Sequence, residues 1–436
     1  MSNISKPLFF KPLQLLGISH SIQSTAMWSM LESFSNPLFS IMLIPILTHN
    51  LGLEQYGQYV MVMAFVGLFG FTGLGMNTSI TYYLAVNHQT SDAKEIAGRL
   101  GTALCITLMG TTVFSLAFLL AFLLYVPAVQ YLYPQLIIPK TVVYVALMLL
   151  IFNQCDMVIS AALKGLQQFK ESSKLEFLIR LLGFLAVALI TVTLKNIMIV
   201  FLSVVIIACL GVLLRYHTIN KIVDLHLSNI RLNKQYTREF FHFGKWMTLQ
   251  NIAGALFGSL DKIIIGSLFG NKVVGIYNVL LSITQLIHFV PASTLTFVLP
   301  KVAKNGATLS IFLFKKLFII TLIISGLIAV AVYSFKPLIF SKFSIDAGYD
   351  SLFYWLIMCY FLLSLNIPSY FVALGMNLIR IVSLQCIIGS FISILSLLML
   401  VTQYGVLGAA TSKIIYSLAA LLLFIPVLAR MRSDNI

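Results

Sequence analysis

Twelve segments of the chain, each about twenty residues or longer, run on apolar side chains with few charges. They cover roughly 25–47, 57–83, 99–126, 141–163, 175–194 and 196–216, then roughly 246–268, 275–299, 316–336, 351–374, 381–403 and 405–429. A helix needs about 20 apolar residues to cross the hydrocarbon of a bilayer. Composition closes off the soluble alternative. Apolar and aromatic residues make up 59% of the chain, charged residues only 9%, and mean hydropathy is +0.98. A water-soluble domain carries about 25% charged residues. The expected fold class is therefore an all-α polytopic membrane protein of twelve transmembrane helices.

Basic residues then set the orientation. With a cytoplasmic N-terminus, the termini and the loops after even-numbered spans, with adjoining span ends, hold 21 of the 28 Lys and Arg residues. The positive-inside rule accordingly predicts that both termini are cytoplasmic. This topology also accounts for most of the net charge of +15, with anionic lipid at the 217–245 segment as a secondary reading. The charges are spread over seven segments with no basic-aromatic module, so no nucleic acid is expected as a partner. Cys105, Cys155, Cys209, Cys359 and Cys386 all lie in apolar runs without a CxxC spacing and read as core. The N-terminal stretch lacks a short apolar region ending in a cleavage site, so no signal peptide is expected.

An internal repeat appears when the sequence is offset by 218 residues. Trp28 then falls on Trp246, Gly52 on Gly270, Gly57 on Gly275, Tyr59 on Tyr277 and Asn87 on Asn305. GLEQYGQY and GNKVVGIY share Gly-x4-Gly-x-Tyr. Six spans is an even offset, so equivalent helices run the same way. The expectation is two parallel-repeat six-helix bundles around a central cavity: an N-terminal bundle, 1–216, a cytoplasmic connector, 217–245, and a C-terminal bundle, 246–436. In transporters of that construction the substrate site lies between the repeats.

Several chemistries lack their motifs. There is no G-x4-G-K-[ST] loop, since Gly244-Lys245 is followed by Trp246, and no HExxH or GxSxG. No cofactor or metal is expected, and the chain does not read as an enzyme. His217, His226 and His242 are too widely spaced for a metal site. Gly67, Gly70, Gly73 and Gly75 suit close helix packing better than a nucleotide loop.

Ionisable groups inside spans are costly and so informative. At about 1.5 Å of rise per residue, Asp156 lies about 12 Å below the cytoplasmic edge, beside Asn153 and Gln154. Lys413 is similarly placed beyond Gly405, with no acid in its own span. Asp261 and Lys262 lie in the outer half of the seventh span; Glu32 and Arg180 are shallower. Under the offset, Asp261 and Lys262 fall on Leu43 and Ile44, and Glu32 on Gln250, so packing alone does not demand these charges. Structural ion pairs remain the competing reading for Asp261 and Glu32, and an orientation anchor for Arg180. His288, beside Gln285, reads first as a hydrogen-bonded core group. Pro37, Pro45, Pro291 and Pro368 interrupt spans and free backbone carbonyls.

NLGLEQYGQY, FGKWMTLQNIAGALFGSLDKIIIGSLFGNKVVGIYNV and YGVLGAATSKIIYSLAALL together resemble Wzx-type polysaccharide flippases of the multidrug/oligosaccharidyl-lipid/polysaccharide exporter superfamily. The resemblance implies a bacterial inner-membrane protein that moves an undecaprenyl-diphosphate-linked oligosaccharide to the periplasmic leaflet for O-antigen, capsule or exopolysaccharide assembly. It implies that oligosaccharide and membrane lipid as partners, with a polysaccharide polymerase and a chain-length regulator as candidate partners. Such a cargo needs buried cations for its diphosphate; Lys413, Lys262 and Arg180 are the candidates. Its sugars need a polar lining, for which Asn153, Gln154, Gln250, Asn251 and Gln285 qualify. Asp156, Asp261 and Glu32 are candidates for coupling to protons or sodium, because a buried carboxylate can exchange a proton.

Two rivals stand beside this reading. A multidrug or metabolite cation antiporter of the same superfamily would need an acidic cavity. A membrane polysaccharide polymerase or ligase would need a large outer loop, whereas 127–140 and 337–350 are short.

Overall fold

The computed structural model describes residues 20–87, 92–132, 140–223, 231–295, 311–376 and 378–433. Among these residues there is no strand. Lys6, Lys11, Lys301, Lys304, Asn305 and His226 lie outside the described residues, as do the side chains of Trp246 and His242. The helices are α1 (His20–Leu68), α2 (Met76–Asn87), α3 (Ala93–Leu132), α4 (Lys140–Gly165), α5 (Phe169–Leu194), α6 (Ile197–Val223), α7 (Lys234–Phe269), α8 (Asn271–Thr284), α9 (Leu286–Thr294), α10 (Ile311–Ser334), α11 (Lys336–Lys342), α12 (Asp350–Leu365), α13 (Ile367–Gly375), α14 (Ile379–Tyr404), α15 (Val406–Leu421) and α16 (Phe424–Ser433). Short 3-10 turns cover Phe69–Gly73 and Ala347–Tyr349.

Eleven runs among the described residues are long and apolar enough to cross a membrane. The difference from the expected twelve lies at the start of the chain. The first two expected spans fall within the one run Pro37–Gly73, in which two helices meet at a non-helical break at Gly52. Gly52 leaves helical geometry there at φ 81, ψ 167. Gly270, its repeat counterpart, has nearly the same backbone, φ 88, ψ 170, and separates α7 from α8. Positive φ carries no steric penalty only for glycine, so both repeats turn at the same residue for the same reason. α7 also begins earlier than expected, at Lys234 instead of about 246, so much of the connector is helical.

The chain packs into two compact units. One contains Met1–Leu43, Met76–Thr112 and Ile151–Gly244; the other contains Ile44–Gly75, Val113–Leu150 and Lys245–Ile436.

In the first unit, the start of α7 is fastened to α2 and α3. Arg99 Nη1 meets Glu239 Oε2 at 2.8 Å. The Tyr83 hydroxyl donates to the Glu239 carbonyl (3.1 Å), and Thr102 Oγ1 donates to the Arg231 carbonyl (3.1 Å). Arg99 also lies 4.6 Å from the Tyr236 ring centroid.

In the second unit, the two glycine turns are followed by backbone-on-backbone packing. A methyl group added to Gly57 would lie 1.7 Å from the Asn271 carbonyl oxygen, and one added to Gly275 would lie 2.5 Å from that of Leu53. Gly67 sits close against Ser259 and Gly266 against Met61. Close packing through Gly67 agrees with the expected role of that glycine group.

Candidate substrate and ion-pair sites

The second unit contains a buried cluster on α7, α8 and α15. α7 carries Asp261 and Lys262 on adjacent positions, so their side chains diverge by about 100° around the helix. Gly408 lets α15 approach α14, since a side chain there would lie 2.3 Å from the backbone of Leu400. Lys413 follows on the same helix. Its Nζ lies 3.1 Å from Asp261 Oδ2 and donates to the Phe257 carbonyl at 3.0 Å. It also lies 4.3 Å from the centroid of the Phe257 ring, which stacks on Tyr416 at 3.8 Å. The Tyr277 hydroxyl donates to Asp261 Oδ2 at 2.5 Å. Asp261 is 2% exposed and Lys413 3% exposed, so solvent screening of this pair is slight.

Lys262 is half-buried, and among the described residues no carboxylate lies within ion-pair distance of it. The cluster holds one acid and two bases, so it retains one positive charge. Burying an unpaired ammonium costs several kcal/mol, and an anion would remove that cost.

The first unit contains a second network, on α1, α4, α5 and α6. Glu32 Oε1 meets Lys164 Nζ at 2.7 Å, and Glu32 Oε2 accepts from Ser173 Oγ at 2.6 Å. Arg180 donates to the Glu32 carbonyl (2.6 Å) and to Ser35 Oγ (3.1 Å), and pairs with Glu176 at 2.6 Å. Arg215, 1% exposed, pairs with Asp156 at 2.8 Å and with Glu176. Gly211, one turn before Arg215, leaves room for Asp156, whose Oδ1 would lie 3.7 Å from an added methyl. Three acids face three bases, so the network is neutral by itself.

The structure thus brings Lys413 and Asp261 together, with Lys262 adjacent, and gathers Arg180, Glu32 and Asp156 into one network. Gln154 is buried and Asn153 half-buried on α4, two and three residues before Asp156. Asn251 and Gln285 are exposed, and the side chain of Gln250 lies outside the described residues. Sequence reasoning missed Glu176, Arg215, Tyr277, Ser173 and the Phe257 carbonyl as site groups. Arg215 was visible only as a cytoplasmic charge, because its place at a span end fits snorkelling equally well. The available signal was Glu176 and Arg180 at i, i+4 within an apolar helix.

A family described as polysaccharide biosynthesis protein matches residues 23–305. No match was found among curated proteins. Among solved structures, the chain is similar to an inward-facing multidrug resistance MATE family transporter of the MOP superfamily (TM-score 0.63, 12% identity, 93% of this chain and 98% of that one). It is similar to an outward-facing transporter of the same description (TM-score 0.58, 15% identity, 94% and 95%). A third is a MOP superfamily transporter from Pyrococcus furiosus, described by a binding pocket of reverse polarity (TM-score 0.50, 14% identity, 95% and 96%). The family match and the fold agree with the expected resemblance to Wzx-type flippases of that superfamily. Matched by the family over more than half its length, the chain belongs to the polysaccharide biosynthesis proteins and has the all-helical membrane fold of MATE transporters.

Proposed function

We propose that the protein is a flippase that moves a polyprenyl-diphosphate-linked oligosaccharide, of the undecaprenyl class, from the cytoplasmic to the periplasmic leaflet of a bacterial inner membrane, with both termini cytoplasmic. The halves 1–216 and 246–436 are the proposed moving bodies, exposing the cargo first to one side and then to the other. The observation that carries this reading is Lys262, a half-buried ammonium with no carboxylate partner among the described residues, beside the neutralised Lys413–Asp261 pair.

A diphosphate satisfies what that arrangement lacks. Its charged oxygens accept from ammonium groups with about twice the strength of neutral hydrogen bonds. Lys262 is its first contact. Lys413 is a second contact that must exchange Asp261 for phosphate, which weakens grip on the cargo and favours release. Arg180, held by the Glu32 carbonyl and the Glu176 carboxylate, is the weakest of the three proposed phosphate contacts. Asn251 and Gln285, exposed in the same unit as Lys262, are the proposed contacts for the sugars. A polymerase and a chain-length regulator would receive the product.

The cation antiporter reading lacks an equivalent support. It needs surplus acid, whereas one network is neutral and the other is positive. The test is transbilayer movement of a short-chain polyprenyl-diphosphate oligosaccharide in proteoliposomes. Wild type should move it, and Lys262→Gln should slow it at least about tenfold while leaving folding intact. Equal rates for the two proteins, or export of organic cations in place of the lipid, would remove the proposal.

A further inference from the structure

The expected seventh span begins at about 246, yet α7 starts at Lys234, about three turns earlier. Contacts within the first unit fix the depth of those extra turns. They touch α2 at Ser79 and Tyr83, whose hydroxyls donate to the Phe240 and Glu239 carbonyls at 3.3 and 3.1 Å. They touch α3 at Arg99, which meets Glu239 at 2.8 Å, and at Gly98, where an added methyl would lie 3.4 Å from the Tyr236 ring. Tyr83 closes the second expected span and Arg99 opens the third. The start of α7 therefore runs beside the span ends, at the depth of lipid head groups, and not out in the water beyond them.

The two faces of this segment differ. Tyr236 and Phe240 turn toward α2 and α3; Phe240 is 0% exposed, with its ring centroid 5.6 Å from that of Tyr83. At about 100° per residue, Lys234, Arg238 and Phe241 fall within about 60° of arc on the opposite side. All three are exposed, as are Arg231 and Leu232 just before the helix. The acid of the segment does not neutralise this face. Glu239 is held by Arg99 and accepts from Gln235 Nε2 at 3.2 Å. Among the described residues, neither Lys234 nor Arg238 has an ion-pair partner.

A face that joins bare positive charge to a bare phenyl ring is poorly served by water and worse by hydrocarbon. At a membrane surface both parts are satisfied. The ring enters the acyl boundary, and the lysine and arginine stems lie along it with their charged ends among the phosphates. Anionic lipid adds an attraction that zwitterionic lipid lacks. An acidic protein would match the charges, but it would leave Phe241 and Leu232 without an apolar partner at this depth.

We infer that the Lys234–Arg238–Phe241 face of α7 binds the head groups of anionic phospholipid. The opposite face is already fastened by Arg99, so lipid on this one holds the start of α7 from both sides. The inference rests on the membrane fold and not on the identity of the cargo.

Amide hydrogen exchange of the full chain tests it, in cargo-free bilayers of phosphatidylcholine alone or mixed with phosphatidylglycerol. Phosphatidylglycerol should slow exchange over 234–244 about tenfold. Salt at about 1 M, where the Debye length is about 3 Å, should remove most of that gain. Lys234→Gln/Arg238→Gln should abolish the slowing, with unchanged exchange in α8 and α9 as the sign of intact folding. Lys195→Gln/Lys342→Gln, an equal charge change at exposed positions elsewhere, should keep it. Equal exchange over 234–244 in the two bilayers would overturn the inference and leave the face to an acidic protein. Slowing that survives in the Lys234/Arg238 double variant, or that the control loses equally, would overturn it as well. So would slowing by inorganic phosphate in phosphatidylcholine alone, which would make the face a site for soluble anions. A protein that shows the lipid effect but moves no oligosaccharide lipid keeps this face and loses the flippase reading.

Discussion

Gly57 and Gly275, equivalent under the 218-residue repeat, each press on the other repeat's helix start: Gly57 on the Asn271 carbonyl and Gly275 on that of Leu53. Leu53 and Asn271 are themselves repeat equivalents. The contact is therefore isologous, of the kind a two-fold axis produces between identical surfaces. Here both surfaces belong to one chain.

That contact has no room for a side chain. Gly57→Ala should destabilise the protein by about 1–3 kcal/mol or more, because the obstructing atom is backbone and cannot rotate away. Gly254 is the control, with nothing within 4 Å of an added methyl. Gly254→Ala should be neutral or stabilising by up to about 1 kcal/mol, since alanine is the better helix former. Melting of the two variants under matched conditions checks the contrast.

Lys413 and Asp261 are separable by a rescue experiment. Lys413→Ala leaves a carboxylate 2% exposed without its cation and should cost about 3–5 kcal/mol. Adding Asp261→Asn removes the stranded charge and should restore most of that loss. Lipid movement should stay low in the double variant if Lys413 contacts phosphate. Full recovery of movement would make the pair purely structural.

Arg215 joins Asp156 to Glu176, and its side chain is 1% exposed. Arg215→Met strands Asp156 and leaves Glu176 to Arg180 alone, and should destabilise by about 3–5 kcal/mol. Arg215→Lys should recover only part, because an ammonium lacks the planar fork that serves two carboxylates. Chemical denaturation or thermal melting distinguishes the three proteins.

The start of α7 depends on Arg99. Arg99→Ala removes its ion pairs to Glu95 and Glu239 and its contact with the Tyr236 ring. Glu239 keeps some access to water, so global stability should fall by only about 1–2 kcal/mol. The sensitive readout is amide hydrogen exchange, which should rise over 234–244 and change little over α8 and α9. Unchanged protection of 234–244 would show that apolar packing, not Arg99, holds the segment.

Much of the architecture follows from one-dimensional properties. Apolar run length and polar breaks foretold nearly every helix, since a bilayer leaves a backbone so few choices. The repeat foretold the shared turn, because Gly52 and Gly270 hold a conformation that other residues adopt only under strain. Depth along a helix identified Asp156, Asp261 and Lys413 as unusual. It carried no information on partners, because depth leaves rotation and neighbouring helices open.

Pairing is where tertiary structure decides. Lys413 finds its acid on α7, far away in sequence, and Arg215 finds Asp156 on α4 and Glu176 on α5. Each long-range choice turns on distances of about 3 Å, and Coulomb energy at low dielectric changes by kcal/mol over such separations. The same holds for Lys262, which meets no carboxylate among the described residues, a fact that only the packed helices reveal. The sequence by itself determined that these charges lie within a membrane-spanning chain. Only packing decided which of them are neutralised.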